Sequence, residues 1–182
     1  METLKKYDID LKSLSISTIY ELEYELNDEF FDSVDATEVK QGNVRVVLKI
    51  TRAALAFELN FRIMGKVIVT CDRCLEDVEL PVEASNRLIV TFGDEFAETS
   101  DEHVIVSEDV GKINVAWYMY EFVVLALPIK RVHESGGCNE LMAAKLRELS
   151  VEECEYGDDE GERNRGVTDP RWDALRNLIE DN

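Results

Sequence analysis

The chain has 182 residues, 45% of them hydrophobic and 8% aromatic, with a formal net charge of -19 from 39 acidic and 20 basic side chains. That apolar share excludes global disorder, and the length suits one domain of ordinary size with a tail. The charge argues against a protein that grips nucleic acid over its whole surface.

The segment METLKKYDIDLKSL has lysines but no apolar run behind them, so no signal peptide is expected and a cytoplasmic location follows. Residues 21–39 then carry eight carboxylates and no base, and residues 94–109 carry seven and no base. The bases Lys40, Arg45, Lys49, Arg52, Arg62, Lys66, Arg73 and Arg87 gather between these two acidic zones. Charge is therefore segregated along the chain.

Between the zones the apolar pattern has period two. In 43–51, Val44, Val46, Leu48 and Ile50 alternate with polar residues, which predicts a half-buried strand. In 55–63, Leu55, Phe57, Leu59, Phe61 and Ile63 point inward on the same argument. Met64-Gly65-Lys66 reads as a turn or bend, and 66–70 as a further strand that runs into Cys71. Strands are also expected at 77–83, where Pro81 marks an edge or bulge, at 86–92 and at 103–107. The connections are short, so the strands form an antiparallel meander.

From Ile113 to Ile129 the chain is almost continuously apolar, but Glu121 and Pro128 and the short length make it a buried helix and not a membrane span. A polar turn at 134–137 leads to a second helix, NELMAAKLREL, too mixed to be deeply buried. The acidic stretch 151–168 reads as a flexible linker. Residues 169–182 read as a short helix, capped by Asp169 and Pro170, that docks back through Trp172, Leu175, Leu178 and Ile179. The expected architecture is α+β: an antiparallel meander or partly open barrel packed on a buried helix over residues 1–150, followed by linker and terminal helix.

Chemistry concentrates in the cysteines. Cys71 and Cys74, at CxxC spacing after a strand, can direct two thiolates to one centre, and His133 and Cys138 can complete a tetrahedral structural zinc site. The spacing equally fits a reduced thiol pair in a tight turn with His133 on the surface. Thioredoxin-like redox chemistry needs CxxC at a helix N-terminus, which a meander does not supply. Cys154 reads as an unpaired thiol and His103 as a surface histidine. No phosphate loop, HExxH or nucleophile constellation is present, so the chain is not expected to be an enzyme and no small-molecule substrate is evident.

The outward bases Arg45, Lys49, Arg62 and Lys66, with Arg73, can form a stripe that follows an RNA backbone. Cross-strand pairing of the same bases with Glu58 and Glu79 on a solvated face is the competing reading. No aromatic set interleaves with them, so base stacking is unsupported.

Gly65-Lys66-x4-Cys71-Asp72-Arg73-Cys74-Leu75-Glu76, then Val124-Leu125-Ala126-Leu127-Pro128, then His133-x4-Cys138, then Asp169-Pro170-Arg171-Trp172-x2-Leu175 together resemble the YceD family, across nearly the whole chain. The resemblance implies a bacterial and plastid protein needed for accumulation of 23S ribosomal RNA, its gene commonly beside that of a small basic large-subunit ribosomal protein. Many relatives carry a further CxxxC-P-x-C-G cluster after the position of Cys138, where this chain has Asn139-Glu140-Leu141-Met142. Any zinc site here rests on Cys71, Cys74, His133 and Cys138. Partner expectations are large-subunit rRNA or the pre-ribosome, or a basic ribosomal protein, with no membrane.

Overall fold

A computed structural model describes residues 3–150 apart from Ser17 and Lys40. The chain divides after Leu146 into two units, and the architecture below is that of the first. The expected linker 151–168, the expected helix 169–182 and Cys154 lie outside the described residues.

The alternating segments form the centre of a six-stranded sheet. β3 (Gln41–Arg52) buries Val44, Val46, Leu48 and Ile50 on one face, and β4 (Ala56–Thr70) buries Phe57, Leu59, Phe61, Ile63, Val67 and Val69 on the same face. They join through a two-residue loop, Ala54-Leu55, closed by Ala53 N–H donating to the Ala56 carbonyl at 2.8 Å. Leu55 is thus at the tip and 89% exposed, contrary to its expected inward position. Loop geometry overrides the alternation there.

The expected bend at Met64-Gly65-Lys66 is instead the middle of one continuous strand. Gly65 serves a different need: a Cβ on it would stand 2.3 Å from the Asn43 carbonyl oxygen and 2.6 Å from the Val44 Cα. The two backbones approach so closely that no larger residue fits. Likewise 77–83 and 86–92 merge into β5 (Asp77–Gly93), which pairs with all fifteen residues of β4 from Ala56↔Thr91 to Thr70↔Asp77. Residues 71–76 therefore cap a long hairpin. Pro81 sits where β5 has no outer strand partner among the described residues, since its other neighbour pairs only with Ile89–Gly93, as an edge proline requires.

That neighbour is β7 (His103–Ser107), and it runs parallel to β5, which corrects the all-antiparallel expectation. The chain leaves β5, forms the outermost strand β6 (Ala97–Ser100), and turns back to fill the gap between them. At the opposite edge lies β2 (Ile19–Leu26), a strand the sequence reading treated only as an acidic zone. The order is β2-β3-β4-β5-β7-β6. A separate pair, β1 (Asp8–Asp10) with β8 (Lys112–Asn114), buries Ile9 and Ile113.

The acids of the first zone are sorted by this arrangement. Glu21, Glu23 and Glu25 lie on exposed positions of β2, whereas Asp28 and Glu29 occupy the first turn of α1 (Asp28–Ser33), where carboxylates favour the helix dipole. Asn27 Oδ1 caps α1 by accepting from Phe30 N–H at 3.2 Å, and Phe30 and Phe31 enter the core.

One sheet face is covered and the other meets water, as an antiparallel sheet allows. The cover includes α2 (Ala116–Leu125), which buries Met119, Tyr120, Phe122 and Val123 and sets Phe122 edge-on to Phe61 at 5.2 Å. The helix is shorter than its apolar segment, because residues 112–114 pair with β1 and Leu125 ends the helix before Pro128. It is also not buried all round: Trp117 is 51% and Leu125 76% exposed. α3 (Glu140–Leu149) buries nothing, in line with its mixed sequence. Among the described residues no helix is long and apolar enough to cross a membrane.

Candidate metal centre and charged faces

The loop that caps the β4–β5 hairpin folds on its own hydrogen bonds. Cys71 N–H donates to the Glu76 carbonyl at 2.8 Å, and Leu75 N–H returns to the Cys71 carbonyl at 2.9 Å. The tightness of that turn puts Leu75 at φ 63°, in the left-handed region. Cys71 and Cys74 consequently face inward and both are buried.

The second half arrives from the segment between α2 and α3. It is tied to the first by a reciprocal pair: Asp72 N–H donates to the Arg131 carbonyl, and Arg131 N–H donates to Asp72 Oδ2, both at 2.7 Å. Asn139 adds a bond from its Nδ2 to Glu76 Oε1 at 2.7 Å while its Oδ1 caps α3 by accepting from Leu141 and Met142 N–H. Gly136 takes φ 87° in the turn that brings Cys138 back over His133. His133 and Cys138, both half-buried, thereby join the hairpin cysteines.

The four ligating atoms of Cys71, Cys74, His133 and Cys138 lie within 4.8 Å of one another. His133 Nδ1 stands 3.4 Å from Cys74 Sγ and 3.9 Å from Cys138 Sγ. Its other nitrogen, Nε2, is 3.1 Å from the Asp77 carbonyl oxygen, which can only accept, so the proton resides on Nε2 and Nδ1 offers its lone pair to the sulfurs. Burial opposes ionisation of Cys71, but the backbone N–H groups of Cys74, Arg73 and His133 and the Cys74 side chain outweigh it and bring its thiol down to about 6. Cys138 is held above its ordinary value, first by burial and then by its hydrogen bonds to the Cys74 and Cys71 sulfurs.

Three sulfurs and one imidazole nitrogen are the donor set of a closed structural zinc site. Around a tetrahedral zinc with bonds of about 2.3 Å, sulfurs stand about 3.8 Å apart, so separations of up to 4.8 Å need to close by no more than about an ångström. The residues fit the ion. Among the described residues there is no disulfide, and Cys71, Cys74 and Cys138 are free thiols.

The outward bases meet a different fate. Arg45 pairs with Glu23, Lys49 with Glu21 at 3.3 Å, and Lys66 with Glu79 at 2.7 Å. Of the two expected acidic partners only Glu79 is used, while Glu58 accepts from Asn60 Nδ2 at 3.3 Å. Glu21 and Glu23 come from β2, and sequence reasoning missed them because it had not recognised that strand. The signal was there in Ile19-Tyr20-Glu21-Leu22-Glu23-Tyr24-Glu25-Leu26, which alternates like its neighbour. Arg62 and Arg73 have no ion pair among the described residues. Arg62 instead lines a shallow groove of about 550 Å³ on the open sheet face, with Lys49, Arg87, Asn60, Ser85 and the carboxylate of Glu21. His103 is half-buried, its ring nitrogens 3.0 Å from Thr91 Oγ1 and 2.6 Å from Thr99 Oγ1.

Residues 59–179 match the model of a protein family described as Large ribosomal RNA subunit accumulation protein YceD. No curated protein and no solved structure matches the chain.

Proposed function

The chain belongs to the YceD family and has a role in ribosome biogenesis, and we propose that it is a non-enzymatic cytoplasmic factor that supports 23S rRNA accumulation by binding a basic large-subunit ribosomal protein. The observation that carries the mode of action is the neutralised basic row. Three of the five stripe residues, Arg45, Lys49 and Lys66, are engaged by carboxylates of adjacent strands. Little unpaired positive charge is left for a phosphate backbone, while the net charge of -19 favours fast, salt-sensitive association with a cationic protein.

A structural zinc held by Cys71, Cys74, His133 and Cys138 belongs to the same reading. When bound, it supplies a cross-link between the β4–β5 hairpin and the α2–α3 connection. The protein's part is to present the ligands: the Asp77 carbonyl orients His133, and the two Asp72–Arg131 hydrogen bonds, one to the Arg131 carbonyl and one to Asp72 Oδ2, fix the distance between the halves.

One feature supports direct contact with large-subunit rRNA as a second reading, namely the groove lined by Lys49, Arg62 and Arg87, where Glu21 pairs with Lys49, Glu102 pairs with Arg87 at 3.3 Å, and Arg62 has no ion pair among the described residues. The two readings part in one comparison: filter binding to 23S rRNA fragments at moderate salt against capture of purified basic ribosomal proteins. Salt-sensitive capture of a ribosomal protein without RNA binding is the expected result. RNA binding without protein capture would reverse the order of the two readings.

A further inference from the structure

α2 leaves a row to water that its burial elsewhere does not explain. Trp117, Glu121 and Leu125 follow at four-residue spacing, which places them on one helix face. Trp117 is 51% and Leu125 76% exposed. This face forms one wall of a groove of about 770 Å³ whose other walls are the β6–β7 turn and the segment at Thr37-Glu38.

The groove carries one sign of charge. Glu38, Glu98, Asp101 and Glu121 line it, and no lysine or arginine does. Glu38 is engaged by Arg131 at 2.8 Å, but Glu98, Asp101 and Glu121 have no cationic partner among the described residues. Two of these carboxylates are held in place by the aromatic wall. Tyr118 Oη donates to Glu98 Oε1 at 2.9 Å, and Trp117 Nε1 donates to Glu121 Oε1. Exposed apolar surface gains from cover, carboxylates that are covered need cationic partners, and the complement of this groove is a cationic segment with an apolar side chain to seat.

We propose that the α2 groove is a docking site for a lysine- and arginine-rich segment of a protein partner, with an apolar anchor seated against Trp117 and Leu125 and cations paired to Glu98, Asp101 and Glu121. The proposal rests on the reading that the chain binds a basic protein, and it names the surface. RNA is repelled by these carboxylates, and a second copy of a chain at -19 is repelled as a whole.

The test uses the full chain and a fluorescently labelled lysine/arginine-rich peptide with leucine anchors, read by anisotropy across a salt series. A peptide with serine in place of the leucines is the control. The leucine peptide binds more tightly than the control, and Leu125→Ser and Trp117→Ser each weaken it about tenfold without changing the salt slope. Glu98→Gln with Glu121→Gln keeps the hydrogen-bond acceptors and flattens the salt slope. Equal binding by all variants overturns the proposal, as does a wild type that binds neither peptide because its own C-terminal segment or a second copy fills the groove. Groove variants that capture ribosomal proteins like wild type overturn the groove and leave the functional reading standing. Wild type that seats the peptide at the groove yet captures no ribosomal protein overturns the functional reading and leaves the groove standing.

Discussion

His133 donates its Nε2 proton to the Asp77 carbonyl at 3.1 Å, and this one bond decides which nitrogen faces the cysteines. Asp77 is the first residue of β5, so the sheet itself orients the imidazole. An outer hydrogen bond of this kind is what a metal-binding histidine uses to hold its ring and tautomer.

Purified without added metal, the protein is expected to carry about one zinc per chain, measured by elemental analysis. Cys71→Ser or Cys138→Ser should lose the metal and about 3 kcal/mol or more of stability, because metal binding to a folded site is folding energy. For a chain of this size that lowers Tm by about 6–12 °C. A chelator should move wild type toward the variants. A metal-free protein with unchanged Tm would reduce the cluster to packing.

Gly65→Ala should be much more damaging than Gly136→Ala. At Gly65 the added Cβ would meet backbone 2.3 Å away, whereas at Gly136 nothing lies within 4 Å and only the φ of 87° is strained. We expect a cost of about 3 kcal/mol at the first site and about 1 kcal/mol at the second, read from urea midpoints. Equal midpoints would mean that β3 and β4 separate more easily than their spacing indicates.

Phe61→Ala removes a ring buried to 2% exposure that meets Phe122 edge-on. Denaturant unfolding should show a loss of about 3–5 kcal/mol, with the higher end if α2 cannot settle into the void.

Reversing Arg45, Lys49, Arg62 and Lys66 to glutamate tests the open face. Each ion pair there is solvent-exposed and worth about 0–1 kcal/mol, so the reversal should destabilise modestly while like charges gather against Glu21, Glu23 and Glu79. Capture of basic ribosomal proteins should survive it. A loss of measurable 23S rRNA binding would instead identify the row of Arg45, Lys49, Arg62 and Lys66 as an RNA contact.

Much of this was legible in the sequence because it depends on short-range periodicity. Val44 to Ile50 and Phe57 to Ile63 alternate with the strand repeat, and the pleat puts them on one face whatever lies across it. The CxxC pair at a strand end and the His133-x4-Cys138 spacing likewise singled out four side chains that the fold brings within 4.8 Å of one another. Sequence failed where a residue's role is set by a distant backbone. Gly65 looked like a turn and is a point of close approach to Asn43; Leu55 fit the alternation and lies at a loop tip; β7 looked like one more meander strand and slots in parallel to β5.

By itself the sequence determined the fold class, the inward face of the central strands and the chemistry of the four candidate ligands, since these follow from side-chain type and from periods of two and three to four residues. Only the tertiary structure decided what the charges do. Glu23 lies 22 residues from Arg45, Glu21 is further still from Lys49, and pairing of β2 with β3 brings them together. Glu98 and Asp101 come to share a groove with Glu121 because β6 runs along the outer edge of the sheet beside α2. Charge acts through space over about a Debye length, and along the chain that distance has no fixed equivalent.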